Sequence, residues 1–245
     1  NNASFVITQH DLKHLLQRSC FSMAHQDVRY YLNGLLVELL PSELRVIATD
    51  GHRLALNSTT IKTQVSEKQQ VILPRKGVIE LLRLLENDNE PVTLSVGDAH
   101  LSVHGEDFEF TSKLIEGRFP DYDRVIPKGG DKTIVLDRDT FKQTLVRSAI
   151  LCHEKIKGIR CELQTNLLKI SGNNPEQESV EEEMSVEYTG APLDIGFNVH
   201  YIIDVLNNIK PGNIQLTLSD ANTSVIIEET DNTWGSVFVV MPMRL

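Results

Sequence analysis

Apolar positions near the start of the chain change period. Phe5-Val6-Ile7 reads as a short strand, and Leu12, Leu15 and Leu16 then recur at i, i+3, i+4, one face of a helix. The same order returns with Ile134-Val135-Leu136, followed by Phe141, Thr144 and Leu145, one polar residue standing in the stripe. Each helix closes on an Arg-Ser pair, Arg18-Ser19 and Arg147-Ser148, 129 positions apart. A second helix is predicted from Gly77 to Leu85 on Val78, Leu81, Leu82 and Leu85. Its counterpart runs from Val199 to Ile209 on Ile202, Val205, Leu206 and Ile209. Alternating stretches follow both, Val92–Val96 and Ile214–Leu218, and Gly97–Val103 echoes Ser219–Val225 122 positions later. Element order and spacing agree along the whole length, the mark of an internal repeat.

The repeat predicts two tandem α+β domains of about 120 residues each. Each has antiparallel strands with one wet face and two helices. The boundary is placed in the turn-forming stretch Pro127-Lys128-Gly129-Gly130-Asp131, giving domains 1–128 and 129–245. Just before it, Gly117-Arg118-Phe119-Pro120-Asp121-Tyr122 reads as irregular, and its two aromatics are expected to be exposed for docking.

Composition narrows the chemistry. A net charge of −10 and a pI near 5.3 argue against gripping nucleic acid by bulk electrostatics, though a basic surface on an acidic body is compatible with them. Cys20, Cys152 and Cys161 are too widely spaced for a zinc ribbon and read as reduced thiols of a cytoplasmic protein. No apolar run is long enough for a membrane span and no secretory signal is expected. Asp50-Gly51-His52-Arg53 admits a hydrolytic reading, a His with an orienting carboxylate. Asp-Gly between two apolar runs is first a turn signal. The acidic run Glu181-Glu182-Glu183, with Glu176 and Glu178, reads as a solvated loop or edge strand rather than a metal site. The eight histidines, His153 among them, are scattered; His10 and His14 have i, i+4 spacing and read as surface residues. No cofactor or metal is expected.

The predicted helices and the residues flanking them carry Lys13, Arg18, Arg75, Lys76, Arg83, Arg138, Lys142, Arg147 and Lys210, nine of the 24 Lys and Arg residues. Helices turned toward one side would contact phosphate without reading bases.

Several longer words then resemble one family. They are Met23–Gly34, Ala48–Ala55, Pro74–Gly77, Gly117–Tyr122, Asn173–Glu178 and Val239–Leu245, in order along nearly the whole chain. All resemble the bacterial DNA polymerase III β sliding clamp. The resemblance implies the second and third of three clamp domains, sheets outside and helices on the inner face, with the family's N-terminal domain absent. It implies a non-enzymatic processivity factor: a head-to-tail dimeric ring around duplex DNA when full length, with this portion monomeric. It further implies a groove for short linear peptides from the polymerase III alpha subunit, the clamp loader delta subunit, repair polymerases and other clients. Matching deep-pocket positions are Leu32, Thr49, Gly51, His52, Arg53, Leu54, Pro120, Val125, Val239 and Met241. Arg29, Arg124, Asn198, Tyr201, Ser224, Val240, Pro242, Met243 and Arg244 line the rest. Ile156 stands where the family often has Phe. DNA-side candidates are Gln26, Tyr30, Tyr31, Arg75, Lys76, Arg147 and Lys210; Ile150 and Leu151 resemble subunit-contact residues. A general peptide adaptor and a hydrolase using Asp50 and His52 are the competing readings.

Overall fold

The structure, a computed structural model, describes residues 2–86, 88–152 and 154–245. The chain divides into two compact units. The first runs to Pro120 and takes in Thr233–Ser236; the second comprises Asp121–Asn232 and Val237–Leu245.

In the first unit the elements are β1 (Ala3–Thr8), α1 (Gln9–Cys20), β2 (Gly34–Leu40), β3 (Glu43–Thr49), β4 (Arg53–Thr60) and β5 (Gln69–Pro74). They continue with α2 (Arg75–Leu84), β6 (Pro91–Val96), β7 (His100–His104) and β8 (Glu109–Lys113). Antiparallel strands form one sheet in the order β1-β6-β7-β8 and another in the order β5-β2-β3-β4. Alternation is visible in the burial: Ala3, Phe5 and Ile7 point inward from β1, and Val92, Leu94 and Val96 from β6. Those residues, Leu12, Leu15 and Leu16 of α1 and Val78 and Leu81 of α2 belong to one core.

The second unit repeats this strand for strand. Its elements are β9 (Lys132–Asp137), α3 (Arg138–Ala149), β10 (Gly158–Gln164), β11 (Leu167–Asn173), β12 (Ser179–Ser185) and β13 (Leu193–Asn198). Then follow α4 (Val199–Asn207), β14 (Asn213–Leu218), β15 (Val225–Glu229) and β16 (Val237–Val240). The strand orders β9-β14-β15-β16 and β13-β10-β11-β12 reproduce those of the first unit element by element. The predicted α+β duplication is what the chain forms.

Local chemistry explains where the helices begin. Thr8 Oγ1 accepts the Asp11 amide at 3.1 Å, Asp137 Oδ1 that of Thr140 at 2.8 Å and Asn198 Oδ1 that of His200 at 3.0 Å. Each such cap is worth about 1 kcal/mol. Helix α2 starts at Arg75, two residues before the predicted Gly77, directly after Pro74, whose fixed φ suits a helix entry. The acidic run lies on β12, the last strand of its sheet, where Glu181 pairs with Lys169 at 3.0 Å and Glu182 with Arg147 at 2.8 Å. Charge on an edge strand discourages further pairing.

One expectation is corrected. Phe119 and Tyr122 are 7% and 4% exposed. Their rings carry too much apolar area to leave in water and anchor an otherwise irregular stretch. They do not offer a docking surface.

Candidate functional site

In the first unit the site candidates gather on the β3–β4 turn and the segment before β2. Thr49 and Leu54 are directly paired across the ladder. Thr49 Oγ1 donates to the Arg53 carbonyl at 2.7 Å and accepts the Gly51 amide at 3.2 Å. Asp50 Oδ1 accepts the amides of His52 at 2.9 Å and Arg53 at 3.1 Å, and Oδ2 takes the Arg53 Nε at 3.1 Å. Gly51 sits at φ 89°, the left-handed region that a side chain resists. Arg53 lies over the Phe21 ring, 5.7 Å from its centroid.

This bonding bears on the hydrolytic reading. The Asp50 carboxylate is occupied by backbone amides and a guanidinium and serves to close the turn. The group needed to orient a catalytic imidazole is thereby spent.

Arg29 is fastened beside the turn. Its Nε and Nη2 donate to Asp27 at 3.0 and 2.9 Å, and Nη2 also reaches the Asp50 carbonyl at 3.3 Å. Hydrogen bonds from Arg29 pull the Asp27 carboxyl down to about 2 and raise the guanidinium in turn. Leu32 ends the short helix Tyr30–Leu32 and is buried.

In the second unit, Tyr122–Arg124 form another single turn. Arg124 meets Asp121 at 3.0 Å with its side chain 86% exposed, and Val125 stands open beside it. Val239 and Val240 pair with Ile226 and Val225 across β15 and β16, directly after Ser224. Beyond β16 the tail returns to β13: the Met243 amide donates to the Gly196 carbonyl at 2.8 Å. Gly196 is required there, because a Cβ would stand 2.6 Å from the Met243 carbonyl oxygen. Asn198 is committed as the α4 cap, with half-buried Tyr201 in the first turn of that helix.

Burial divides the nominated residues into two kinds. Leu32, Thr49, Leu54, Val239 and Val240 are buried and act as framework. Met241 and Val125 present open apolar surface, Pro242 and Met243 are half-buried, and Gly51, His52, Pro120, Arg29, Arg124 and Arg244 are exposed. Ile156 is 50% exposed. Sequence pattern could not make this division, since it does not distinguish an apolar residue that lines a surface from one that supports it.

The remaining candidates are dispersed. Gln26 adopts φ 54°, and Tyr30 and Tyr31 meet edge-on at 5.7 Å. Arg75 and Lys76 open α2. Arg147 is bound to Glu182 and Lys210 to Asp231 at 2.6 Å, pairs that water and salt weaken readily. Ile150 is 75% exposed at the end of α3, and Leu151 follows it half-buried. His153 lies outside the described residues. Among the described residues no group of three or more His, Cys, Asp or Glu side chains could hold a metal ion. No described helix is long and apolar enough to cross a membrane.

Sequence reasoning missed one polar cluster. Arg18, Asn57 and Ser236 are buried together in the first unit, Arg18 Nε donating to Asn57 Oδ1 at 3.2 Å and Nη2 to Ser236 Oγ at 3.0 Å. The Arg-Ser pair closing the first helix was the available signal.

Fold and site together define a tandem-duplicated α+β protein whose distinctive surfaces are a locked turn and a returning tail. The family model described as the DNA polymerase III beta subunit, central domain, matches residues 6–121, and that of the C-terminal domain matches residues 123–244. The chain belongs to the DNA polymerase III beta-subunit family. It is 50% identical to the Beta sliding clamp of Pseudomonas aeruginosa over 242 residues, 99% of this chain and 66% of that protein. It is 49% identical to the Beta sliding clamp of Escherichia coli K12 over 245 residues, 100% of this chain and 66% of that one. A crystal structure of the DNA polymerase sliding clamp from Pseudomonas aeruginosa superposes with a TM-score of 0.96 at 50% identity, covering 99% of this chain and 67% of that chain. The chain thus spans about two thirds of the length of the curated relatives it matches.

Proposed function

We propose that this chain supplies the client-binding portion of a DNA sliding clamp, a processivity factor that makes and breaks no bonds itself. The whole protein would encircle duplex DNA as a head-to-tail dimer. Polymerase, clamp-loader and repair proteins would be tethered through short peptides. The observation that carries the reading is chemical. Open apolar side chains, Met241 and Val125, occur with the exposed cations Arg124 and Arg244 in the second unit, at positions matching the family's groove. Apolar anchors of a peptide would bury on the first set, and its polar or acidic ends would meet the second. Methionine adapts to more than one client side chain.

Burying one Leu and one Phe contributes about 1.5–3 kcal/mol each. Ordering the peptide offsets part of this, which leaves affinity on the order of micromolar. Arg75, Lys76, Arg147 and Lys210 would face DNA phosphate, with Gln26, Tyr30 and Tyr31 beside them. Ile150 and Leu151 would meet a further clamp domain of a partner subunit, so residues 1–245 alone would sediment near 27.6 kDa.

The test is fluorescence polarisation with a labelled Gln-Leu-x-Leu-Phe peptide. Met241→Ala and Val125→Ala, which truncate exposed side chains, weaken binding while thermal unfolding stays unchanged. Equal affinity for all three proteins removes the assignment. Peptide turnover that depends on His52 would restore the hydrolytic reading.

A further inference from the structure

Two glycines of the second unit give up their side-chain space to the end of the chain. Gly158 opens β10 and Gly196 lies on its neighbour β13, Gly158 opposite Asn198 and Gly196 opposite Arg160. Neither glycine has a positive φ, so backbone conformation does not call for glycine at either place. Ile159 and Phe197, next in each strand, are buried in the core, and alternation turns Gly158 and Gly196 to the opposite face of the sheet. There the tail fills the room. A Cβ on Gly196 would stand 2.8 Å from Leu245 Cγ and 2.9 Å from Cδ1. A Cβ on Gly158 would overlap Leu245 Cδ2 and stand 3.3 Å from Met243 Sδ and 3.5 Å from Ile156 Cγ2. Leu245 thus sits in a dimple floored by two glycines, with Met243 and Ile156 at its rim. Arg160, which faces Gly196, is held at Nε by both carboxylate oxygens of Asp194, at 2.8 and 2.9 Å.

The anchorage is slight. A single isolated bridge joins the tail to β13, the Met243 amide donating to the Gly196 carbonyl at 2.8 Å. Leu245 is 65% exposed, so the dimple covers the smaller part of it. Against these contacts stands the entropy of ordering every residue beyond β16. The docked tail is therefore close to balance with a released one, and its seat tips that balance. We infer that Leu245, seated on Gly158 and Gly196, is a positioning residue of client capture, on the reading that Met241 to Arg244 meet the client peptide. It holds those four residues in the arrangement the peptide binds, and its own side chain contacts the sheet rather than the client. A protein whose competent form is only partly populated loses apparent affinity in proportion to that fraction.

The test uses the 245-residue chain and the labelled Gln-Leu-x-Leu-Phe peptide, read by fluorescence polarisation. Leu245→Ala and Gly158→Ala are each expected to weaken binding by about threefold to tenfold, the scale of one net contact. The double variant binds no worse than the weaker single one, because both changes break the same seat; independent losses would multiply. Leu245→Met keeps an apolar side chain of similar volume and recovers most of the affinity. Exchange of the Met243 amide accelerates in Leu245→Ala while thermal unfolding is unchanged, since only the tail opens. Should Gly158→Ala fail to fold, Leu245→Ala and Leu245→Met decide, because they alter an exposed side chain. A parent protein that binds the peptide no more tightly than Leu245→Ala overturns the positioning role and leaves peptide capture standing, and losses that multiply in the double variant do the same. A parent protein that does not bind the peptide overturns peptide capture itself, and the positioning role with it.

Discussion

Replacing Asn57 by Leu should destabilise the first unit more than any surface change in it. Asn57 lies opposite Val46 in the β3–β4 ladder with no exposed surface. Its Oδ1 accepts Arg18 Nε at 3.2 Å and Ser236 Oγ at 2.6 Å. Its Nδ2 donates to the Arg18 carbonyl and to Ser19 Oγ, both at 2.9 Å. Leucine conserves the volume and removes all four bonds. The charged bond is worth about 1.5–3 kcal/mol and each neutral one about 1. These terms share atoms and do not simply add, so the expected loss is about 3–5 kcal/mol, the usual cost of breaking a buried ionic group's shell. Urea unfolding followed at Trp234 reads this unit, since the Trp234 carbonyl accepts the Ser58 amide at 2.7 Å beside the mutated residue. With a slope of about 2 kcal/mol per M, the midpoint should fall by about 2 M. Pairing Asn57→Leu with Arg18→Met should recover part of the loss, because an apolar pair leaves no stranded charge. A midpoint moved by less than about 0.5 M, or strictly additive single losses, would refute the argument.

Three further outcomes follow from single contacts. His14 has a folded pKa below 6.5, so the unfolded chain binds its proton first; the stability it contributes is complete above pH 6.5 and declines as pH falls through that value. With His10, Asp11 and Arg18 as the charged neighbours, melting of the Trp234 signal between pH 8 and 5 should show this decline, and His14→Gln should flatten it. Gly196→Ala places a Cβ 2.6 Å from the Met243 carbonyl and 2.8 Å from Leu245 Cγ. The tail should lift, and exchange of the Met243 amide should accelerate by at least about tenfold if the lost anchorage is worth 1.4 kcal/mol; unchanged exchange would contradict it. Burial pushes the Cys161 thiol up to about 12. Cys20 is only partly buried. Alkylation of the native protein, read by mass spectrometry, should therefore modify Cys20 well before Cys161, and the reverse order would contradict the burial assigned here.

The duplication was legible because it rests on period and order, which water imposes on any chain that must bury one face of each element. Leu12, Leu15 and Leu16 are buried as their spacing required. The turn at Asp50-Gly51 was legible for a similar reason, since few residue pairs accept its backbone angles. Three things were not legible. Phe119 and Tyr122 sit in a stretch without periodicity, and nothing local says that their rings turn inward. His10 and His14 read as outer-face residues because the chain that covers them, at Trp234, lies more than 200 positions away. Arg18 and Asn57 are polar residues buried by mutual bonding, and a pattern of apolar positions is blind to that. Peptide-contact candidates came through resemblance; burial then separated the exposed members from the framework beneath them.

The duplicated frame also shows how equivalent positions diverge in chemistry. Arg18 closes α1 and Arg147 closes α3, at matching places in the two copies. Each reaches the matching strand of its own unit: Arg18 meets Asn57 on β4, and Arg147 meets Glu182 on β12. In the first unit Ser236, delivered by the returning segment Thr233–Ser236, completes a buried shell around the guanidinium. A neutral amide suits that place, because the Asn57 amide oxygen and the Ser236 hydroxyl accept from the cation without a second buried charge to desolvate. In the second unit Arg147 is 52% exposed and is met by a carboxylate, which water tolerates at little cost. Such an exposed pair is screened by water and contributes little, against about 3–5 kcal/mol for the buried shell. The same contact therefore stabilises one copy strongly and contributes little to the other.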